Sequence, residues 1–117
     1  MHGYYSGIEQ IDVQTFADHR LAAVGPVQLI DVREPQEVEI AALPDFIVLP
    51  LSQYADWADK ILVELDPTVE TIVMCHHGLR SAQMCQWLQR QGFENVKNLS
   101  GGIDAYACAV DPALPRY

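Results

Sequence analysis

At 117 residues the chain has the length of one domain with its own hydrophobic core, and 7 basic against 16 acidic residues leave a net charge of −9. Half of the residues are apolar and a fifth are charged, the proportions of an ordinary globular protein. The acidity argues against a nucleic-acid partner, because phosphate backbones would repel it, and no apolar run approaches the roughly 18 residues of a membrane span. Residues 1–7 carry neither a basic region nor an apolar run, so no signal peptide is visible and the cytoplasm is the expected location.

The elements follow in chain order. Val13, Phe16, Ala17, Leu21 and Val24 share one face of a helix, with Asp12 as its N-cap and Gly25-Pro26 as its stop. Val27-Gln28-Leu29-Ile30-Asp31-Val32 reads as a buried strand. A polar stretch from Arg33 to Glu39 begins as a turn at Glu34-Pro35, and Phe46-Ile47-Val48-Leu49 makes a short strand between Pro44-Asp45 and Pro50. Tyr54, Trp57, Ala58, Ile61, Leu62 and Leu65 have the spacing of an amphipathic helix, closed by Asp66-Pro67.

Thr71-Ile72-Val73-Met74-Cys75 is uninterrupted and suits the centre of a parallel sheet. A helix from about Leu79 to Gln91 carries Ser81, Met84, Cys85 and Leu88 on one stripe, and Gly92 ends it. Val96-Lys97-Asn98-Leu99 is the last strand, and Ile103, Tyr106, Ala107 and Val110 form the stripe of a closing helix. The alternation predicts an α/β fold: a mostly parallel sheet of about five strands with helices on both faces, in one domain over 1–117. Its core runs from about residue 8 to 110, and 111–117 form a tail expected to carry no chemistry.

In such sheets sites form beyond the carboxyl ends of the strands, and Cys75 stands there, just before a helix. The loop Cys75-His76-His77-Gly78-Leu79-Arg80-Ser81 runs into a first helical turn whose N–H groups have no internal partner. Gly78 lets those groups converge into a nest, Arg80 adds positive charge, and Ser81 can bond within the loop. A thiol in such a nest is expected to have a lowered pKa and to act as a nucleophilic thiolate. Four residues separate Cys75 from Arg80. The protein tyrosine phosphatase signature places one more there, so this narrower ring suits a terminal sulfur better than a tetrahedral phosphate.

The chain thereby resembles the single-domain rhodaneses, sulfurtransferases whose loop has the form Cys-x-x-Gly-x-Arg-Ser/Thr. Leu29 to Glu37 is similar to that family's Asp-Val-Arg segment, Leu49-Pro50-Leu51 to its third-strand ending, and Gly92-Phe93, Val96 and Leu99-Ser100-Gly101-Gly102-Ile103 to its C-terminal block. The resemblance implies a rhodanese-like three-layer fold. It also implies a reaction in which Cys75 takes a sulfane sulfur from thiosulfate or a protein persulfide and passes the resulting persulfide sulfur to a thiol or protein acceptor. His76, His77, Gly78, Leu79, Arg80 and Ser81 would then cradle the persulfide, with Asp31 and Arg33 supporting the loop and no cofactor required.

Two departures stand out. Leu43-Pro44-Asp45-Phe46 replaces the family's Ile-Pro-Gly-Ala, which Asp tolerates in a turn. His76-His77 stand where thiosulfate-preferring members carry basic residues, which points to a protein persulfide as donor. The alternatives are a non-catalytic binding module of the same family and, less favoured by loop length, a cysteine-dependent phosphatase or arsenate reductase. The three cysteines match no zinc or Cys-x-x-Cys spacing and are expected reduced, Cys85 in the core and Cys108 at the surface. Adjacent histidines rarely share one ion, so no metal is assigned.

Overall fold

The segment Ile72-Val73-Met74, apolar without a break, lies at the centre of a parallel sheet in the computed structural model, which describes residues 7–22 and 25–117. Among the described residues there are five strands: β1 (Glu9–Ile11), β2 (Val27–Asp31), β3 (Ile47–Val48), β4 (Glu70–Met74) and β5 (Val96–Leu99). Their order is β1-β5-β4-β2-β3, with all neighbours parallel. The register sets Asp31 opposite Met74 and Val73 opposite Asn98, so the carboxyl ends of β2, β4 and β5 finish side by side.

Side chains alternate across this sheet. Ile30, Val32, Val73 and Cys75 join Trp57, Ile61, Met84, Cys85 and Leu88 on one face. Leu29, Ile72, Met74 and Leu99 join Val13, Phe16 and Ile103 on the other. Helix α1 (Val13–Ala22) begins as its sequence implies, with the Asp12 carboxylate accepting the Thr15 N–H at 2.8 Å. Phe16 is buried edge-on against Phe46 and Tyr106. Leu21, expected on the same stripe, is 86% exposed: five residues beyond Phe16, it points about 140° away around the helix. Val24 lies outside the described residues.

The polar stretch after β2 is more than a turn: Pro35–Ile40 form helix α2, begun by Pro35 at the position where a missing N–H costs nothing. Asp45 takes φ +71, so the Asp that stands in the family's Gly position occupies left-handed backbone in this turn. The amphipathic stretch after Pro50 is broken into 3-10 turns Leu51–Gln53 and Ala58–Lys60 and single turns α3 (Tyr54–Trp57) and α4 (Ile61–Glu64). Trp57 anchors it, donating its indole N–H to the Pro50 carbonyl at 2.8 Å and meeting Tyr54 and Trp87 edge-on. Helices α5 (Leu79–Arg90) and α6 (Gly102–Ala109) complete the layers, with Met84, Cys85 and Leu88 buried as their stripe predicts.

Candidate active site

Cys75 is the first residue past the end of β4, and α5 starts four residues later. Cys75 is 1% exposed, and two donors reach its sulfur: the Gly78 N–H at 3.0 Å and the Ser81 hydroxyl at 3.2 Å. Gly78 holds φ +106, a conformation that other residues rarely adopt and that directs its N–H back toward the sulfur. Ser81, fully buried, also lies 2.5 Å from Asn98 Oδ1. The Asn98 amide group in turn donates to the Gly78 carbonyl at 3.1 Å and to Gln10 Oε1 at 3.0 Å.

The start of the loop is held from below by α6. The Ile103 N–H donates to the Cys75 carbonyl at 3.0 Å, and the Asp104 N–H to the His76 carbonyl at 3.1 Å. First-turn donors without an intrahelical partner thus brace the loop. This approach requires a residue without a side chain at 102. Gly102 has φ +62, and a Cβ there would fall onto the carbonyl oxygens of Cys75 and His76.

Arg80 is engaged by a carboxylate. Its Nη1 and Nη2 donate to Glu37 Oε2 at 2.7 Å and Oε1 at 2.9 Å, a bidentate pair from α5 to α2. Glu37 also accepts the Glu34 N–H at 3.0 Å and the Tyr117 hydroxyl at 2.9 Å. The Arg80 hydrogen bonds dominate and hold the Glu37 carboxyl down at about 2, while Arg80 moves up. A depressed folded-state pKa stabilises the fold fully above about pH 4.5, and that contribution is lost as pH falls toward 2. Because solvent reaches Arg80, the contribution is about 1–2 kcal/mol. Glu37→Gln should therefore lower Tm at neutral pH, with the gap to wild type closing between pH 4.5 and 2 in thermal melts. A gap constant across that window would contradict the assignment.

Asp31 and Arg33 form a buried ion pair, with Nη2 to Oδ2 at 2.8 Å and Nε to Oδ1 at 3.0 Å. Arg33 extends the pair into a hub, donating to the carbonyls of Glu37 at 3.2 Å and Ala41 at 2.8 Å and to the Tyr117 hydroxyl at 3.0 Å. Its support of the loop runs through Tyr117 and Glu37 rather than by touching Cys75. The tail, expected to carry no chemistry, packs against the candidate site. Tyr117 stacks on the His76 ring with centroids 3.8 Å apart and planes 7° apart. Arg116 pairs with Asp104 at 2.9 Å, and Leu114 packs on the core.

His76 is partly buried, and that burial, with His77 beside it, lowers its pKa below the ordinary value. His76, His77 and Asp104 bring ligand atoms within 4.8 Å of one another. The geometry does not favour coordination. The two imidazoles overlap with planes 32° apart, so their in-plane lone pairs run alongside rather than converge, and Arg116 already bonds both Asp104 oxygens. Cys85 is buried and its thiol is pushed up to about 12 by desolvation, which suits core packing and not a resolving thiol. Cys108 is exposed.

A five-stranded parallel sheet with a braced Cys75 loop at its carboxyl edge agrees with the comparisons. The family profile for the rhodanese-like domain matches residues 14–109. The chain belongs to the rhodanese-like domain family. It is 34% identical over 100 residues to a sulfurtransferase of Allochromatium vinosum, covering 86% of this chain and 89% of that protein. It is 54% identical over 90 residues to rhodanese-like/PpiC domain-containing protein 12, chloroplastic, of Arabidopsis thaliana; that match covers 77% of this chain but spans only 30% of the Arabidopsis protein. The crystal structure of a rhodanese-like domain protein from Staphylococcus aureus superposes with a TM-score of 0.73 at 24% identity, covering 94% of this chain and 99% of that one, a likeness of fold. These matches support sulfurtransferase-type activity for this rhodanese-like chain. No helix among its described residues is long and apolar enough to cross a membrane.

Of the residues the sequence pointed to, Cys75, Gly78 and Ser81 come together at the sulfur. Arg80, Arg33 and Asp31 lie in the bracing network, and Leu79 is exposed beside the loop. Sequence reasoning passed over Gln10, Glu37, Asn98 and Tyr117. For Glu37 a signal existed: Pro35 at a helix start with an acid two residues on is the pattern of a capped first turn. Asn98 and Tyr117 carry no local signal, since their roles arise from contacts across 17 and 84 residues of chain.

Proposed function

We propose that this rhodanese-like chain transfers sulfane sulfur through a persulfide on Cys75, and that its donor is a persulfide of a protein or small thiol rather than thiosulfate. The reading rests chiefly on one observation: the arginines around the loop are matched by carboxylates, Arg80 by Glu37, Arg33 by Asp31 and Arg116 by Asp104. A dianionic donor would meet cations already neutralised, with His76 biased toward its uncharged form. A persulfide makes no such demand. The Cys75 thiolate attacks the outer sulfur of R–S–SH, the S–S bond breaks, and R–S⁻ leaves with the bonding pair, giving Cys75–S–SH. An acceptor thiolate then attacks that outer sulfur and restores the Cys75 thiolate. Backbone N–H groups of the loop from His76 to Ser81 would hold the outer sulfur, with Gly78 and Ser81 at the inner one. The free cysteines are those of a protein kept in a reducing compartment such as the cytoplasm.

Intact-protein mass spectrometry after incubation with glutathione persulfide should show one added sulfur, absent in Cys75→Ser. The same loading with thiosulfate should need at least about tenfold more donor, the loss expected when roughly one charge-assisted contact is missing. Equal or better loading by thiosulfate would overturn the donor class. No adduct from either donor would overturn sulfur transfer itself, and hydrolysis of an aryl phosphate would favour the phosphatase reading.

A further inference from the structure

Ser81 has one hydroxyl proton and two acceptors within reach, the Cys75 sulfur at 3.2 Å and Asn98 Oδ1 at 2.5 Å. The Asn98 amide cannot turn over to relieve this conflict. Its nitrogen faces the carbonyl oxygen of Gly78, which can only accept, and Gln10 Oε1 accepts its second proton. Oδ1 is therefore fixed toward Ser81, and Asn98 is 3% exposed, so no bulk water replaces a lost donor.

We propose that Asn98 is a positioning residue that competes with Cys75 for the Ser81 proton and thereby restrains thiolate formation at rest. While Cys75 is a thiol, the hydroxyl donates to Asn98 and its oxygen can accept the S–H. When Cys75 ionises, the hydroxyl must swing to the sulfur, leaving Asn98 Oδ1 buried without a donor. Once a sulfur is bound, the negative charge moves to the outer atom. The inner sulfur no longer needs the hydroxyl, and the proton returns to Asn98. The arrangement thus favours the thiol and the sulfur-loaded state over the bare thiolate. It rests on Cys75 being the nucleophile, but it makes no use of a sulfur donor.

The titratable groups whose charge reaches the thiol are Arg80 and Cys85 of α5, while His77 of the loop, Glu37 of α2 and Asp104 of α6 act on the neighbouring His76. The variants below retain all of them. The probe is iodoacetamide, with alkylation of the Cys75 peptide followed across pH by mass spectrometry. Asn98→Leu should move the alkylation midpoint down by about one pH unit, and Ser81→Ala should move it up by a similar amount, the scale set by one hydrogen bond to a charged group. In the Ser81→Ala background, Asn98→Leu should produce no further shift, because the proton for which the two groups compete is gone. Asn98→Leu removes one of the two donors to the Gly78 carbonyl and leaves the Ala82 N–H at 3.3 Å, and Asn98→Ala in the same two backgrounds carries the test if the leucine variant does not fold. An unchanged or raised midpoint on removing Asn98 would overturn the proposal. So would a downward shift that persists without Ser81, which would mean only a loosened loop. Failure of sulfur loading with these shifts intact would instead sink the donor reading and leave this one standing.

Discussion

Arg33→Met should destabilise the fold by about 3–5 kcal/mol, the cost of stranding one member of a buried ion pair. Arg33 is fully buried, and it is the one donor group that ties the Asp31 carboxylate, the Glu37 and Ala41 carbonyls and the Tyr117 hydroxyl together. Methionine fills much of the volume and offers none of those bonds. Chemical denaturation read by Trp fluorescence measures the loss, and Trp57 in the core with Trp87 packed against it are suitable reporters. The paired replacement Asp31→Leu with Arg33→Met should recover a large part of it, because no charge is then left without a partner. A loss under about 1 kcal/mol for Arg33→Met alone would mean that the pair contributes little.

Gly102→Ala should cost about 2–4 kcal/mol and suppress Cys75 alkylation and loading together. The cost has two parts. Left-handed backbone alone is worth about 1 kcal/mol for a residue with a Cβ. The larger part comes from the two carbonyl oxygens, of Cys75 and His76, that the new methyl would strike. Those atoms cannot rotate aside without breaking the bonds to the Ile103 and Asp104 N–H groups. Gly92→Ala separates the parts, since Gly92 has φ +98 and nothing within 4 Å of the place its methyl would occupy. It should lose only the backbone contribution and leave Cys75 reactive. Equal losses at the two positions would show that the close approach at Gly102 carries no energy of its own.

These expectations depend on contacts that differ in how far they could be read from the sequence. The β4–loop–α5 unit was legible because everything it needs is local: an apolar run, a glycine with left-handed geometry, and a helix start. β5 and the buried stripe of α5 follow from periodicity alone. β1, three residues long, has too little pattern to announce itself and exists because β5 offers it an edge. Leu21 shows the opposite failure, an apolar residue that a stripe admits and the packing leaves in water. From the sequence Arg80 adds positive charge to the loop, with no sign of a partner. Its bidentate match to Glu37, 43 residues away, is visible only when α2 is placed beside α5. The tail, with Pro112 and Pro115, reads from the sequence as an extension without chemistry, yet Tyr117 reaches His76, Arg33 and Glu37 with one ring and one hydroxyl.

The bracing of the loop by α6 and Tyr117 bears on the order of events during synthesis. Cys75 is translated well before Asn98, Ile103 and Tyr117, and its carbonyl, its hydroxyl neighbour and its stacked histidine all wait for those later residues. Chains grow at roughly 5–20 residues per second, so a nascent chain carries Cys75 for some seconds as an ordinary thiol in an unformed loop. The contacts that shape the loop around Cys75 can therefore form only after Asn98, Ile103 and Tyr117 have been made. A purified fragment ending before Asn98 should react with electrophiles no differently from a free cysteine.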